Sequence, residues 1–434
     1  MILRKTLDWL LVLLSLGLYM VFRRPIIYTG IAITVMLYRT YLAYEEGKRA
    51  QYRAGLVSTG LLVLGIVINR YLFSSLAALV TGLISFGLLF SDSDTKKAST
   101  KKHSFSQNVF KLLEQSMIGI ALLSFIGLNV TVIYPKSIVQ LVGVWFGQEV
   151  VKPESVEKNS DGTVYYRNLT YKSDYSNNKL DIFTAPNAKG TIFYVHGGGF
   201  VGDDKSARED YLFQFVKEGY NAVSINYALA PEVSYLAAQK QANEALKFVV
   251  EKAEDYGIDP NKIVLAGDSA GGQIAGQLAN ILTNSAYAKE VGILPANQET
   301  DFIPEGYIAI SSLTHAPNYS QTGFFLIDWI FDAVGRDYFG TTDVAHSKAA
   351  TQASVRNHVT SKFPATFVTD GNIFTFTKDS KQFVESLKAK GITVDSYIPE
   401  KSEAILPHIF EVDVDNDYAK KVHQEHLAFL EDVL

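Results

Sequence analysis

The chain has 434 residues and a formal net charge of −5, from 40 basic and 45 acidic side chains. That balance offers no basic field for a nucleic-acid partner, and the length is enough for more than one domain. The chain has no cysteine, which excludes disulfides, thiolate catalysis and cysteine-ligated zinc.

Residues 1–135 carry long apolar runs separated by basic clusters, at 7–22, 26–44, 54–68, 71–90 and 109–134. A bilayer span takes about 20 apolar residues, so this spacing predicts an all-α transmembrane domain of about five spans over 1–135, in contact with the lipid bilayer. Residues 1–25 also resemble a signal peptide. The leucine run there ends in Arg23-Arg24-Pro25 rather than a small-residue cleavage site, so it reads as a retained span. Arg4, Lys5, Lys48, Arg49, Arg53, Lys96, Lys97, Lys101 and Lys102 would share one side, against Arg23, Arg24 and Arg70 on the other. The richer side is expected inside, which puts the rest of the chain outside a multi-pass cell membrane if all five runs span.

Residues 136–434 form the second expected domain. The amphipathic stretch 135–151 reads as a linker helix or part of a lid. Apolar strands are expected at 164–169, 179–183, 191–195, 222–227, 262–266, 307–311, 365–369 and 393–398. Helices are expected at 207–218, 236–256, 271–280, 378–390 and 418–430. This alternation predicts an α/β fold, a mostly parallel sheet flanked by helices. The aromatic run Phe324-Phe325-Leu326-Ile327-Asp328-Trp329-Ile330-Phe331 reads either as a buried helix or as a hydrophobic cap on an acyl pocket.

Two motifs carry chemistry. Gly267-Asp268-Ser269-Ala270-Gly271 sits between an apolar strand and a helix, where a tight turn would expose the serine hydroxyl beside a helix N-terminus. His196-Gly197-Gly198-Gly199 follows the strand 191–195, and its bare backbone N–H groups could face a developing oxyanion. Together with Asn226-Tyr227-Ala228-Leu229-Ala230-Pro231-Glu232, these motifs resemble the hormone-sensitive-lipase-like family of α/β-hydrolases over about residues 150–434. One departure is Ala228, where that family usually has arginine.

The resemblance implies an α/β-hydrolase fold with an eight-stranded sheet, a cap drawn from 136–160 and 312–345, and serine esterase activity of the carboxylesterase or acetyl esterase type. Ser269 would be the nucleophile. The N–H groups of Gly198, Gly199 and Ala270 would form the oxyanion hole. His196, Gly197 and Asp268 would support the loops, with Asp268 pointing away from the chemistry. His408, in Leu406-Pro407-His408-Ile409-Phe410 between the last strand and the last helix, is the expected base. His423 and His426 read as surface residues of the final helix. The acid should follow strand 365–369. Asp370 is the nearest carboxylate, about three residues early, with Asn372 and Asp379 as alternatives, the latter reading better as an N-cap.

The expected reaction is acyl transfer on short-to-medium acyl esters, with no cofactor and no metal. A membrane anchor suggests lipid or cell-envelope acetyl esters as substrates. Two other readings stand beside it: a catalytically inactive hydrolase fold that binds a ligand or partner, and a transporter with an accessory hydrolase. The spans hold almost no acidic residues, which counts against the transporter.

Overall fold

A computed structural model describes residues 11–16, 25–68, 77–84, 123, 125–127, 134–146, 152–300 and 302–434. The chain divides into two compact units, Met1–Ser137 and Ile138–Leu434.

In the first unit, helices α1 (Pro25–Glu45) and α2 (Arg49–Ile68) pack on each other across a short turn. Ala32, Met36 and Leu62 bury into a small cluster with Val12, Leu13, Leu16, Ala78 and Phe125. Large apolar side chains of the same helices remain exposed, among them Ile31, Leu37, Leu56, Val57, Val63 and Leu64. The expected five spans are not seen among the described residues. Among the described residues no helix is long and apolar enough to cross a membrane. Most of the first, fourth and fifth runs, and the basic residues that set the expected orientation at 4–5, 23–24, 70 and 96–102, lie outside the described residues.

The second unit is built on one sheet of nine strands, in the order β1-β2-β3-β5-β4-β6-β7-β8-β9. These are β1 (Ser155–Lys158), β2 (Val164–Thr170), β3 (Lys179–Thr184), β4 (Thr191–Val195), β5 (Asn221–Ile225), β6 (Ile263–Asp268), β7 (Gly306–Ile310), β8 (Ala365–Thr369) and β9 (Val394–Tyr397). β1, β2, β3 and β5 pair antiparallel, and from β5 onward every pairing is parallel. The expected count of eight falls one short because β1 is exposed along its whole length, its one apolar side chain, Val156, included. It joins the edge through backbone bonds, which no hydrophobic pattern announces.

The central strands β4, β5, β6 and β7 are buried throughout, as parallel strands covered on both faces must be. One apolar core contains α5 (Ala237–Glu251), α6 (Ser269–Thr283) and α11 (Thr377–Ala389). The other contains α4 (Glu209–Lys217) and α12 (Asp417–Val433), and the short helices α7 (Ser285–Val291), α9 (Lys348–Gln352) and α10 (Val355–His358) fall between α6 and α11 in the chain. His423 and His426 belong to that second layer and are buried, so their surface assignment is wrong. The His426 ring lies edge-on to Phe367 at 4.9 Å, and its Nδ1 meets the Tyr211 hydroxyl at 3.1 Å. Burial pushes His423 down to about 4, so it serves as a neutral packing group.

Two segments lie over the C-terminal ends of the strands. In α3 (Lys136–Phe146), Ile138, Val139 and Val142 join the first core and Gly143 faces the carbonyl of Val201. The aromatic run begins α8 (Phe325–Tyr338), whose buried face lies further along, at Asp332–Arg336 and Tyr338. Phe325 and Leu326 stay 43% and 46% exposed, which rules out a fully buried helix there. Phe324 reaches Phe374 with ring centroids 4.8 Å apart, and Phe331 stacks on Tyr319 at 5.1 Å.

Candidate active site

The turn from β6 into α6 is held tight by glycine. A Cβ on Gly267 would lie 2.6 Å from Gly271 C and 2.7 Å from Val195 O. A Cβ on Gly271 would collide with the carbonyl oxygens of Val195 and His196. Strand and helix therefore approach more closely than any side chain permits. Ser269 pays the conformational cost with φ of 53°, a left-handed value that residues with a Cβ rarely hold without support.

Asp268 lies beneath this turn. Its carboxylate accepts from the Tyr194 hydroxyl at 2.7 Å, the Gly197 N–H at 3.0 Å and the Arg208 guanidinium at 2.9 and 3.2 Å. Burial, the largest single influence, would raise its pKa, but the Arg208 charge and the hydrogen bonds from Tyr194 and Arg208 together outweigh it and hold the carboxyl below its ordinary value. Arg208 also reaches Asp203 at 3.2 Å. The Asp268 carboxylate, held by Arg208, thus ties the glycine loop to the serine turn through the Gly197 N–H. Arg208 was invisible as a site residue, because its partner lies 60 positions away.

The glycine loop is curled by left-handed φ at Gly198 (90°), Gly199 (61°) and Phe200 (67°). Its carbonyls are all engaged. Tyr227 donates to the oxygens of His196 and Gly197, both at 2.9 Å. Val201 and Gly202 N–H donate to Gly198 O, and the Tyr319 hydroxyl donates to Gly199 O at 2.9 Å. The His196 ring stacks on Tyr227 with centroids 4.5 Å apart, and its Nδ1 lies 2.9 Å from Gly197 O. Burial lowers His196 to about 4, so the ring is neutral and braces the loop. Ala270 occupies the first turn of α6, where a helix leaves backbone N–H groups without an internal partner.

The structure brings His408 to Ser269, with Nε2 to Oγ at 2.9 Å. Burial pushes His408 down to about 4, so the imidazole is neutral at pH 7 and can accept the serine proton. Phe376 stands edge-on to its ring at 5.6 Å.

The acid arm differs from the expected arrangement. Asp370 is fully buried just past β8, but what sits between it and His408 is Thr375. The Thr375 hydroxyl donates to Asp370 Oδ1, and its oxygen is 2.8 Å from His408 Nδ1. The Ser380 hydroxyl donates to Asp370 Oδ2 at 2.6 Å. Burial raises Asp370 to about 6, with the hydroxyl hydrogen bonds opposing the rise. Thr375 was missed because a lone threonine in a loop carries no sequence signal.

The alternatives for the acid fall elsewhere. Asn372 clamps the neighbouring loop, donating to Pro399 O and Ala404 O and accepting from Leu406 N–H. Asp379 lies in the first turn of α11, accepting from Asn318 at 2.8 and 3.0 Å and from Arg356 at 3.4 Å. It does not cap that helix, whose N-cap position is Phe376. A second buried carboxyl, Glu411, was also missed. It accepts from Ser311 at 3.1 and 3.2 Å, and burial together with nearby Asp370 raises it to about 8. Among the described residues no cluster of histidine and carboxylate groups could hold a metal ion.

Sheet order, serine turn and serine–histidine pair together define an α/β-hydrolase domain. Residues 192–402 match the family described as alpha/beta hydrolase fold.

Among characterised proteins, the chain is 36% identical to arylacetamide deacetylase of Bos taurus over 121 residues, 26% of this chain and 30% of that protein. It is 33% identical to an ethyl acetate hydrolase of Pseudomonas putida over 96 residues, 22% of this chain and 30% of that protein. It is 30% identical to esterase LipI of Mycobacterium tuberculosis over 205 residues, 47% of this chain and 61% of that protein. The chain thus spans less than two thirds of the length of each of these relatives. Esterase B from Lactobacillus rhamnosis superposes with a TM-score of 0.55 at 18% identity, covering 64% of this chain and 88% of that one. That likeness concerns the fold.

Proposed function

We propose that this protein is a serine ester hydrolase of the carboxylesterase type, working through an acyl-enzyme at Ser269. The observation that carries this reading is the 2.9 Å approach of His408 Nε2 to Ser269 Oγ on a strained turn. Serine is a weak nucleophile alone and needs such a base.

In the proposed reaction, Ser269 Oγ attacks an ester carbonyl as His408 Nε2 takes its proton. The N–H groups of Gly198, Gly199 and Ala270 receive the oxyanion. His408 then protonates the leaving alcohol, and water repeats the sequence on the acyl-enzyme. Asp370 supplies the negative charge that offsets the imidazolium. The carbonyls from His196 to Gly199 and the Gly197 N–H are all bound within the protein, which fixes the loop and supports the Gly198 and Gly199 N–H groups as the donors.

Short acyl groups are the proposed substrates. Support comes from relatives whose names include ethyl acetate hydrolase and versiconal hemiacetal acetate esterase. We further propose that residues 1–135 anchor the hydrolase unit to a lipid bilayer, on its outer face. The apolar runs and the exposed Leu37, Leu56, Val57, Val63 and Leu64 support the anchor, and the Lys and Arg distribution supports the side.

The test is hydrolysis of p-nitrophenyl esters of increasing acyl length by the full chain and by Ser269→Ala. Activity confined to the wild type supports the reading, with an optimum at short chains. A folded wild-type protein inert on every ester sinks it and favours an inactive binding protein. Carbonate washing of membranes bearing the protein, with protease added to intact cells, tests anchor and side. Extraction into the carbonate supernatant refutes the anchor, and protection from protease refutes the outer placement.

A further inference from the structure

The residue that orients the proposed base is not the carboxylate. We propose that Thr375 is the positioning residue for His408, and that Asp370 acts on the imidazole only through the Thr375 hydroxyl. This inference deepens the esterase reading and rests on it for its kinetic consequences, though not for its structural ones.

The argument is a count of protons. A hydroxyl has one proton to donate and lone pairs to accept with, whereas an ionised carboxylate only accepts. Thr375 Oγ1 touches both Asp370 Oδ1 and His408 Nδ1. Its single proton goes to the carboxylate, so its lone pair faces Nδ1. Nδ1 must then carry a proton of its own. A neutral imidazole with a proton on Nδ1 has none on Nε2, the nitrogen that faces Ser269 Oγ at 2.9 Å. The chain Asp370–Thr375–His408–Ser269 therefore runs in one direction and selects the tautomer able to act as a base.

The surroundings hold this polarity. Ser380 donates to the other oxygen of Asp370, so both carboxylate oxygens are committed to hydroxyl donors. Thr375 is itself buried, which removes competing water from its hydroxyl. The backbone fixes the spacing. A Cβ on Gly371 would lie 2.6 Å from Leu406 O, and Ile373 forms a bridge to Pro407. The acid loop is thus pinned against the histidine loop with Asp370 set back from the ring and Thr375 forward. When Ser269 passes its proton to Nε2, the resulting imidazolium keeps Nδ1–H on Thr375 Oγ1, and the hydroxyl carries the carboxylate's polarisation to it.

The decisive experiment compares full-length wild type with Thr375→Val, Thr375→Ser, Asp370→Asn and the Asp370→Asn/Thr375→Val double variant. Fluorophosphonate labelling of Ser269 and p-nitrophenyl butyrate turnover are read first on the wild type. With histidine labelled in 15N, the His408 tautomer is then assigned by long-range proton–nitrogen correlation, using His408→Gln to identify its signals. The wild type should show the proton on Nδ1 at pH 7.5, and Thr375→Val should shift population toward Nε2–H.

In kinetics, Thr375→Val should lose kcat by about 100-fold or more with KM changed by less than about threefold, and Thr375→Ser should recover to within about fivefold of wild type. The double variant should be no worse than about threefold below the poorer single one, since both act along one chain of hydrogen bonds. If the valine variant does not fold, Thr375→Ala against Thr375→Ser gives the same contrast. The proposal is overturned by an Nε2–H tautomer in the wild type, by Thr375→Val retaining kcat within about threefold, or by losses that multiply in the double variant. A wild type inert on esters with His408 protonated on Nδ1 would sink the esterase reading and leave the hydrogen-bond assignment standing.

Discussion

The serine turn and the acid arm meet at one histidine, yet they are built on opposite principles. The turn is made by adjacent residues under severe local constraint. Gly267 and Gly271 are needed because backbone oxygens occupy the space a side chain would fill, and Ser269 carries the strain between them. The arm is assembled from Asp370, Thr375 and Ser380, held to His408 by contacts spanning 33 positions or fewer. No one of these residues is dictated by its own backbone geometry. Steric constraint leaves a motif. A hydrogen-bond relay leaves only a set of polar residues that many loops could contain.

The contrast can be broken first at the turn. Replacing Ser269 with alanine should lower ester turnover by about 10⁴-fold or more while leaving the melting temperature near wild type, measured by p-nitrophenyl acetate hydrolysis and thermal denaturation. Retained activity would show that the turn is scaffold only. Gly271→Ala should act on folding instead. The new Cβ meets two backbone oxygens that cannot move aside, and a loss of about 3 kcal/mol or more is expected from urea denaturation.

The arm should yield smaller effects. Asp370→Asn keeps the shape but removes the charge, and a kcat loss of about 10²-fold is expected, less than at Ser269. Equal losses at the two positions would erase the distinction between turn and arm.

A pH profile sharpens it further. Asp370 is raised to about 6 by burial, so its carboxylate is present above that value and protonated below it. Once protonated, Asp370 can donate to Thr375, and the threonine hydroxyl can turn its proton toward Nδ1. The ring's single proton would then sit on Nε2, which would lose its basicity toward Ser269. The groups facing Asp370 are Glu411, through Ser311, and His408, through Thr375. kcat/KM should therefore fall as pH drops through about 6, before His408 itself protonates near 4. A profile flat down to pH 5 would argue that Asp370 does not control the base.

The smallest effect is expected at Glu411. Its folded pKa of about 8 lies above the ordinary 4.5, so the native state binds the proton more tightly than the unfolded chain. That group's contribution to stability is full below about 4.5 and is lost as pH rises through 8. Glu411→Gln should leave the melting temperature unchanged near pH 5 and raise stability at pH 8 by about 1–3 kcal/mol. An equal shift at both pH values would point to packing rather than charge.

Much of the hydrolase unit was readable in advance, and the reasons are specific. Thr191–Val195 and Ala365–Thr369 were delimited correctly because buried parallel strands are short unbroken apolar runs bounded by turn residues. The exposed edge strand Ser155–Lys158 was not, since its register comes from pairing and not from burial. His426 was misplaced because the helical pattern of the last segment tolerates a neutral imidazole in an apolar layer. The 324–331 run was legible as apolar, but whether it lay inside or over the site depended on what packed against it.

What the amino-acid order determined alone is the set of sterically forced features: the alternating strands and helices, the glycine-lined serine turn and the triple-glycine loop. In each, a backbone geometry accepts few residue types, so composition and position carry the answer. Only the tertiary structure decided that Arg208 neutralises Asp268, that Asn372 and Asp379 stand away from the base, and that a threonine hydroxyl separates Asp370 from His408. Those outcomes depend on distances between loops remote in sequence. Polar side chains of many kinds could satisfy such loops, and a single hydrogen bond selects among them only once the backbone has brought the partners within about 3 Å.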